Sequence, residues 1–297
     1  MKKLILALLP VIFAATGLKA KTFNDSIPPG KNFNKAVFRL WHSDHATTLR
    51  GILLLVPGSN TDGRGMADDT MWQNYAARFD FAVLACYYTD PHHEDPSIES
   101  YVNVKDGSGQ ALIDVLTLFS KKTGHAELAS LPMACWGISA GGQFNYELVC
   151  WKPERIIAFV VNKGGVYFSA LASKEARMVP GILFIGEQDI EFRNNIIMGI
   201  FSVNRRYGAL WAVAVEPGRK HEIGNSISYT KKFFEVIIPM RLRSDGSLIS
   251  LNESSGFICD SKTNTCEPFS SWQKKEYPTS WLPDEEMTKV WRSVNGK

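Results

Sequence analysis

Between residues 50 and 240, short apolar runs alternate with stretches of helical spacing. "GILLLVPG" (51–58) is apolar without alternation and stops at Pro57-Gly58, the pattern of a strand buried on both faces of a sheet. "AVFRLWH" (36–42), "DFAVLACYY" (80–88), "LPMACWGI" (131–138), "RIIAFVVNKG" (155–164), "PGILFIG" (180–186) and "LWAVAVEPG" (210–218) read as further strands. Helices are predicted over "MADDTMWQNYAARF", "GSGQALIDVLTLFSKKT", "SAGGQFNYELVCWKP", the short "SALASKEARM", "DIEFRNNIIMGIFSVNRRYG" and "SYTKKFFEVIIPMRL". In the second of these, Leu112, Val115, Leu116 and Phe119 share one face. This rhythm predicts an α/β fold with a mostly parallel central sheet and helices on both faces.

The two ends break the rhythm. "MKK" followed by "LILALLPVIFAATGLKA" has the basic start, short apolar core and small terminal residue of an export signal, cut near Ala20. The apolar run is short for a membrane span, so no stable membrane insertion is expected. From residue 244 onward Ser, Thr, Asn and Pro are frequent, yet Phe257, Phe269, Trp272, Tyr277, Trp281 and Trp291 are scattered through. Disordered tails are poor in aromatics. The expected organisation is therefore a signal peptide (1–20), a catalytic domain (21–243) and a C-terminal extension (244–297) packed on the same domain. "LPDEEMTKVWRSV" reads as a closing helix with acidic residues in its first turn.

Charge narrows the partners. The 33 Lys and Arg residues fall to 30 once Lys2, Lys3 and Lys19 leave with the signal, against 30 Asp and Glu. No basic block points to nucleic acid. Of five cysteines, Cys259 and Cys266 flank the polar loop "DSKTNT" and form the best disulfide pair in an exported chain. Cys86, Cys135 and Cys150 lie in or beside apolar segments and read as buried thiols, with a second disulfide among them left open. No Cys/His spacing suggests a metal site.

The candidate chemistry centres on "CWGISAGGQ" (135–143), where Gly137-Ile138-Ser139-Ala140-Gly141 fits G-x-S-x-G between a predicted strand and a predicted helix. Such a turn exposes a serine oxygen at the carboxyl edge of the sheet, and the helix start leaves the Ala140 N–H free to face an oxyanion. The serine needs a base. Among six histidines, His221 follows the last predicted strand in a glycine-flanked loop; His42, His45 and His125 look peripheral. The imidazole needs an orienting carboxylate. Asp189, just past "GILFIG", is the choice, with helix capping as its alternative role and Glu187 and Glu191 as rivals. A second oxyanion donor is expected from "SNTDGRG", at the Asn60 N–H or else at Ser59; Asp62 and Arg64 either pair with each other or meet substrate.

Gly137-Ile138-Ser139-Ala140-Gly141, Asp189 and His221, in that chain order, together with "GSNTDGRG", resemble the α/β-hydrolase superfamily over roughly residues 35–240. The leader and compact core resemble secreted esterases of the polyhydroxybutyrate depolymerase, feruloyl esterase and dienelactone hydrolase type. The resemblance implies ester cleavage through an acyl-enzyme, with no metal or organic cofactor. Only "VYFSALASKEARMV" lies between Gly165 and Pro180, so no large lid domain is expected there. Tyr167 and Phe168 offer a pocket wall, and the insertion "YYTDPHHEDPSIESYVNVKDGSG" a rim carrying Tyr87, Tyr88 and His92. Core filling is the alternative for the tyrosines, and a solvent loop for His92. An open site suits a bulky or polymeric ester. The rival readings are an exported serine peptidase, an acyltransferase, and an inactive binding protein on the same scaffold.

Overall fold

The computed structural model describes residues 20–91, 98–275 and 277–295. The leader, apart from Ala20, and His92 lie outside them. The main sheet is built from β1 (Ala20–Ile27), β2 (Lys35–Ser43), β3 (Gly51–Val56), β4 (Phe81–Thr89), β5 (Met133–Ile138), β6 (Ile156–Asn162), β7 (Gly181–Gly186) and β8 (Trp211–Glu216). Its eight strands run in the order β1-β2-β4-β3-β5-β6-β7-β8. The strands from β4 to β8 in that order pair in parallel, while β2 is antiparallel to β4 and β1 to β2. The helices are α1 (Thr70–Ala77), α2 (Ser108–Thr123), α3 (Ala140–Trp151), α4 (Lys174–Arg177), α5 (Glu191–Arg206) and α6 (Ser226–Arg241).

The unbroken apolar run of β3 has its cause in this layering. Ile52, Leu54 and Val56 join one core with Leu112, Phe119 and Phe144, whereas Leu53 and Leu55 join a second core with Trp72, Tyr75 and Phe233. A strand covered on both faces has no solvent side for polar residues to occupy. The strand sequence also reverses direction at β3, with β4 on one side and β5 on the other. Such a reversal opens a crevice beyond the carboxyl ends of the strands, where ligands bind in open α/β sheets.

The extension is folded, as its aromatics implied. It forms β9 (Phe257–Asp260), β10 (Thr265–Pro268) and β11 (Ser280–Leu282), a three-stranded sheet, followed by α7 (Glu285–Val294). A Cys259–Cys266 disulfide crosses the β9–β10 hairpin, while Cys86, Cys135 and Cys150 are free thiols. Trp281 and Trp291 enter the second core. The extension also closes an exposed sheet edge: the Val213 and Val215 N–H groups of β8 donate to Ser280 Oγ (3.1 Å) and Asn295 Oδ1 (2.9 Å), and Trp291 Nε1–H donates to the Val213 carbonyl (2.6 Å). Edge amides left open invite pairing with other chains.

Three local expectations change. β1 is a polar segment that adds an antiparallel edge strand, and its alternation places only Phe23 and Ile27 against the core. Met66–Asp68 of "MADD" belong to a separate 3-10 turn, Arg64–Asp68, and Asp69 caps α1 through the Met71 N–H (2.8 Å). "SALASKEARM" shrinks to the single turn α4, whose start is capped by Ser173. Among the described residues no helix is long and apolar enough to cross a membrane.

Candidate active site

Ser139 sits between β5 and α3 with φ +55° and ψ −125°, backbone values that a side-chain-bearing residue rarely adopts. Holding such a conformation costs roughly 1–3 kcal/mol, so neighbours must enforce it. They do so by crowding. A Cβ on Gly137 would overlap the Gly141 carbonyl, and one on Gly141 would overlap the Val56 carbonyl at the end of β3. Both glycines of the motif are thus required by close backbone approach. The Ser139 N–H donates to the Asn162 carbonyl of β6 (2.9 Å), and its own carbonyl accepts from Gln143 N (3.1 Å). Ser139 is half-buried.

Asp189 and His221 meet. His221 Nδ1 lies 2.7 Å from Asp189 Oδ2, with the Asp189 side chain 1% exposed and the imidazole 29%. A carboxylate accepts, so Nδ1 carries the proton and Nε2 is left with its lone pair. Asp189 Oδ1 takes the neighbouring Ile190 N–H (2.7 Å) and lies 3.9 Å from Arg193 Nη1. The alternative of helix capping is not realised: the residue preceding α5 is Ile190, with no side-chain cap. Glu187 is committed elsewhere, accepting from the Gly218 N–H (2.7 Å).

A buried group that the sequence reading missed holds this loop. Lys163 follows β6 with φ +51° and is fully buried, as is Glu216 at the end of β8. Lys163 Nζ donates to Glu216 Oε2 and to Asn162 Oδ1 (3.1 Å). Glu216 Oε1 accepts the Asn225 N–H (2.6 Å), and Asn162 Nδ2 donates to the Ile223 carbonyl (3.0 Å). Gly224 lies so close that a Cβ there would come 2.5 Å from both Glu216 carboxylate oxygens. Asn162 therefore touches the Ser139 backbone on one side and the His221 loop on the other. A lysine and a glutamate at strand ends give no periodic signal, which is why only their burial reveals them. Among the described residues neither Ser139 Oγ nor His221 Nε2 is held by a hydrogen bond.

The loop after β3 abuts the serine, since a Cβ on Gly58 would lie 3.6 Å from the Ser139 Cβ. Asn60 has φ +50°, and its side-chain carbonyl accepts the Asp90 N–H (2.8 Å). Burial pushes the Tyr101 phenol well above the usual tyrosine range. The Ser59 and Ala140 N–H groups have no acceptor among the described residues. Asp62 and Arg64 pair with each other through two hydrogen bonds (2.8 and 2.5 Å), and the Arg64 guanidinium holds the Asp62 carboxyl below its ordinary value.

The pocket tyrosines separate. Tyr88 is a correction: it is 2% exposed, donates to the Ser108 carbonyl (2.8 Å) and stacks on Tyr101, because its side of β4 faces the core. Tyr87 points to the other face, half-buried, with Lys35 Nζ 4.7 Å above its ring. The Tyr167 ring packs edge-on against Tyr146 (centroids 4.9 Å apart), and its hydroxyl is buried against Gly164 without a partner among the described residues. Ser59 is exposed. Exposed apolar side chains stand out beyond β6, β7 and β8: Phe168, Ile190 and Ile223 in the loops and Phe192 in the first turn of α5 are 43%, 53%, 44% and 49% exposed. Their one sequence signal is an apolar residue inside an otherwise polar strand-end loop.

No protein-family profile and no curated protein matches the chain. Solved structures do. A ferulic acid esterase aligns at 12% identity over 73% of this chain and 96% of its own, with a TM-score of 0.53. A poly(3-hydroxybutyrate) depolymerase from Bordetella parapertussis aligns at 16% identity over 79% and 92%, with a TM-score of 0.47. Poly(aspartic acid) hydrolase-1 from Sphingomonas sp. KT-1 aligns at 17% identity over 72% and 97%, with a TM-score of 0.48. At these identities the likeness is one of architecture. The strand order, the serine elbow after β5 and the alignment with the ferulic acid esterase agree, and the chain has the α/β-hydrolase fold.

Proposed function

We propose that the protein is an exported serine hydrolase that cleaves a carboxylic ester through an acyl-enzyme, with residues 21–243 as its catalytic domain. The observation that carries this reading is the 2.7 Å His221–Asp189 contact in a loop that Asn162 ties, through Ile223, to the backbone of a serine held at φ +55°. His221 Nε2 takes the Ser139 proton as the oxygen attacks the ester carbonyl. Asp189 keeps the imidazole in the tautomer that leaves Nε2 basic and stabilises the imidazolium that forms. The Ala140 N–H and the Asn60 N–H, or else the Ser59 N–H, receive the oxyanion; losing one such donor costs roughly 3–4 kcal/mol of barrier. His221 then protonates the leaving alcohol, and water, deprotonated by the same nitrogen, releases the acid.

The exposed apolar residues at the strand ends favour a bulky or polymeric ester lying across an open crevice over a small one enclosed in a pocket. Export accords with the Cys259–Cys266 disulfide, a bond that persists in oxidising compartments. The test is a panel of aryl and alkyl esters combined with a fluorophosphonate label and peptide mapping. Label on Ser139, with Ser139→Ala folded yet inert, is expected. Label on another residue, or undiminished turnover by Ser139→Ala, overturns the reading.

A further inference from the structure

A second site lies on the side of α5 away from its catalytic end. The second half of α5, with residues 272, 274–275 and 277–279, lines a cavity of about 650 Å³. Arg206, Lys274 and Lys275 line it together with Trp272, Tyr277 and Gly199. Arg206, Lys274 and Lys275 are exposed, and none has an ion-pair partner among the described residues. Arg205 beside them behaves otherwise: it is buried, donates to the Thr279 carbonyl (2.6 Å) and pairs with Glu253 (3.0 Å). One arginine thus builds the floor while its neighbour stays unpaired over the opening.

One further feature suits a ligand better than it suits the fold. Gly199 stands in the middle of a 16-residue helix, where glycine costs about 1 kcal/mol relative to alanine. No packing requires it, since a Cβ there would meet nothing within 4 Å. Trp272 Nε1–H is buried with no acceptor among the described residues. Tyr277 is fixed by its hydroxyl on Asp260 Oδ2 (2.5 Å), with Lys262 Nζ 3.8 Å above its ring. The cavity also connects with the catalytic end. Phe192, Asn195, Gly199 and Arg206 recur at helical spacing and are all exposed, so one face of α5 leads from Asp189 to the cations. At 1.5 Å per residue that path is about 20 Å long.

We propose that this groove binds an acidic glycan, a chain of sugars bearing carboxylates. Aromatic rings pack against the C–H faces of pyranoses, and unpaired guanidinium and ammonium groups take carboxylates as charge-assisted hydrogen bonds. Ser202 and Thr279 add hydroxyls to the lining. Three cations are few for nucleic acid, whose affinity rests on many phosphate contacts. An extended polypeptide would bring backbone amides that this groove, without an open strand edge in its lining, leaves unpaired. The site stands independently of the esterase reading, because it uses neither Ser139 nor His221.

The experiment is calorimetric titration of the mature wild-type chain with hexagalacturonate, which carries no ester. A neutral galactose hexamer, a polyglutamate of matched charge and an oligodeoxythymidylate serve as comparison probes. Saturable binding of hexagalacturonate alone, weakened by salt, is expected. Lys274→Gln with Lys275→Gln should weaken it roughly 3- to 30-fold, the range that two exposed charge contacts supply. Gly199→Leu should abolish it while leaving the protein folded, since leucine favours a helix. Cleavage of a small soluble ester by both variants should match wild type. No saturable binding, binding unchanged in both variants, or tighter binding of polyglutamate or DNA overturns the proposal.

Discussion

Glu216→Gln tests whether the buried Lys163–Glu216 pair holds the loop that carries His221. The substitution preserves shape but leaves the Lys163 ammonium fully buried beside a neutral amide. Breaking a buried pair by removing one partner costs about 3–5 kcal/mol, chiefly because the remaining charge has lost its counterion. Whole-domain stability is about 5–15 kcal/mol, so the loss is a large fraction of the total. At about 2 °C per kcal/mol for a chain of this size, Tm should fall by roughly 6–10 °C. Lys163→Met should cost a similar amount, leaving Glu216 with the Asn225 N–H (2.6 Å) as its remaining partner. The double variant should cost less than the sum, because no charge is then stranded. Function should follow the loop. Glu216 grips Asn225 and Asn162 grips Ile223, so the two brackets flank the turn that carries His221. A displacement of about 1 Å at such a base costs up to 100-fold in rate, expected in kcat with little change in KM. Denaturant unfolding of the two single variants and the double variant, with ester kinetics well below Tm, reads both effects. Additive stability losses, or single variants that keep wild-type kcat, would refute the argument.

Two further outcomes follow from the same geometry. Asp189→Asn should leave the fold intact, since the side chain fits the same space, yet lower kcat by roughly 10⁴-fold because the amide no longer enforces the productive imidazole tautomer; steady-state kinetics on an activated ester checks this. Glu147 is buried on α3 and accepts from Phe168 N (2.7 Å), Ser169 N (2.9 Å) and Ser169 Oγ (2.7 Å), and burial pushes its carboxyl above the ordinary value while those hydrogen bonds oppose the shift. The folded state therefore holds this proton to higher pH than the unfolded chain does. Glu147 then makes stability fall as pH rises from about 4.3, the unfolded value, through the raised folded value. Denaturation midpoints across that interval should show this slope in wild type and a flatter profile in Glu147→Gln; identical profiles would remove Glu147 as the cause.

The hydrophobic pattern alone determined the layers of this protein. Val56, Ile138 and Gly186 end strands that an unbroken apolar run identifies, and a strand apolar on both sides must be covered on both sides. The serine elbow was legible too, because crowding at Gly137 and Gly141 leaves a signature in residue type. Asp189 was chosen over Glu187 from its place just past β7, but both follow the strand closely, and it is the fold that brings the Asp189 carboxylate to an imidazole 32 residues away. Lys163 and Glu216 were silent, each an ordinary charged residue until burial forces it to find a partner. The same holds for Tyr88, whose place in the core depends on which face of β4 it occupies. Periodicity records which side of an element meets the interior. It carries no record of which loops meet one another, because that depends on strand order, and in this chain β3, β5, β7 and β8 are separated in sequence by the helices that bring their carboxyl ends together.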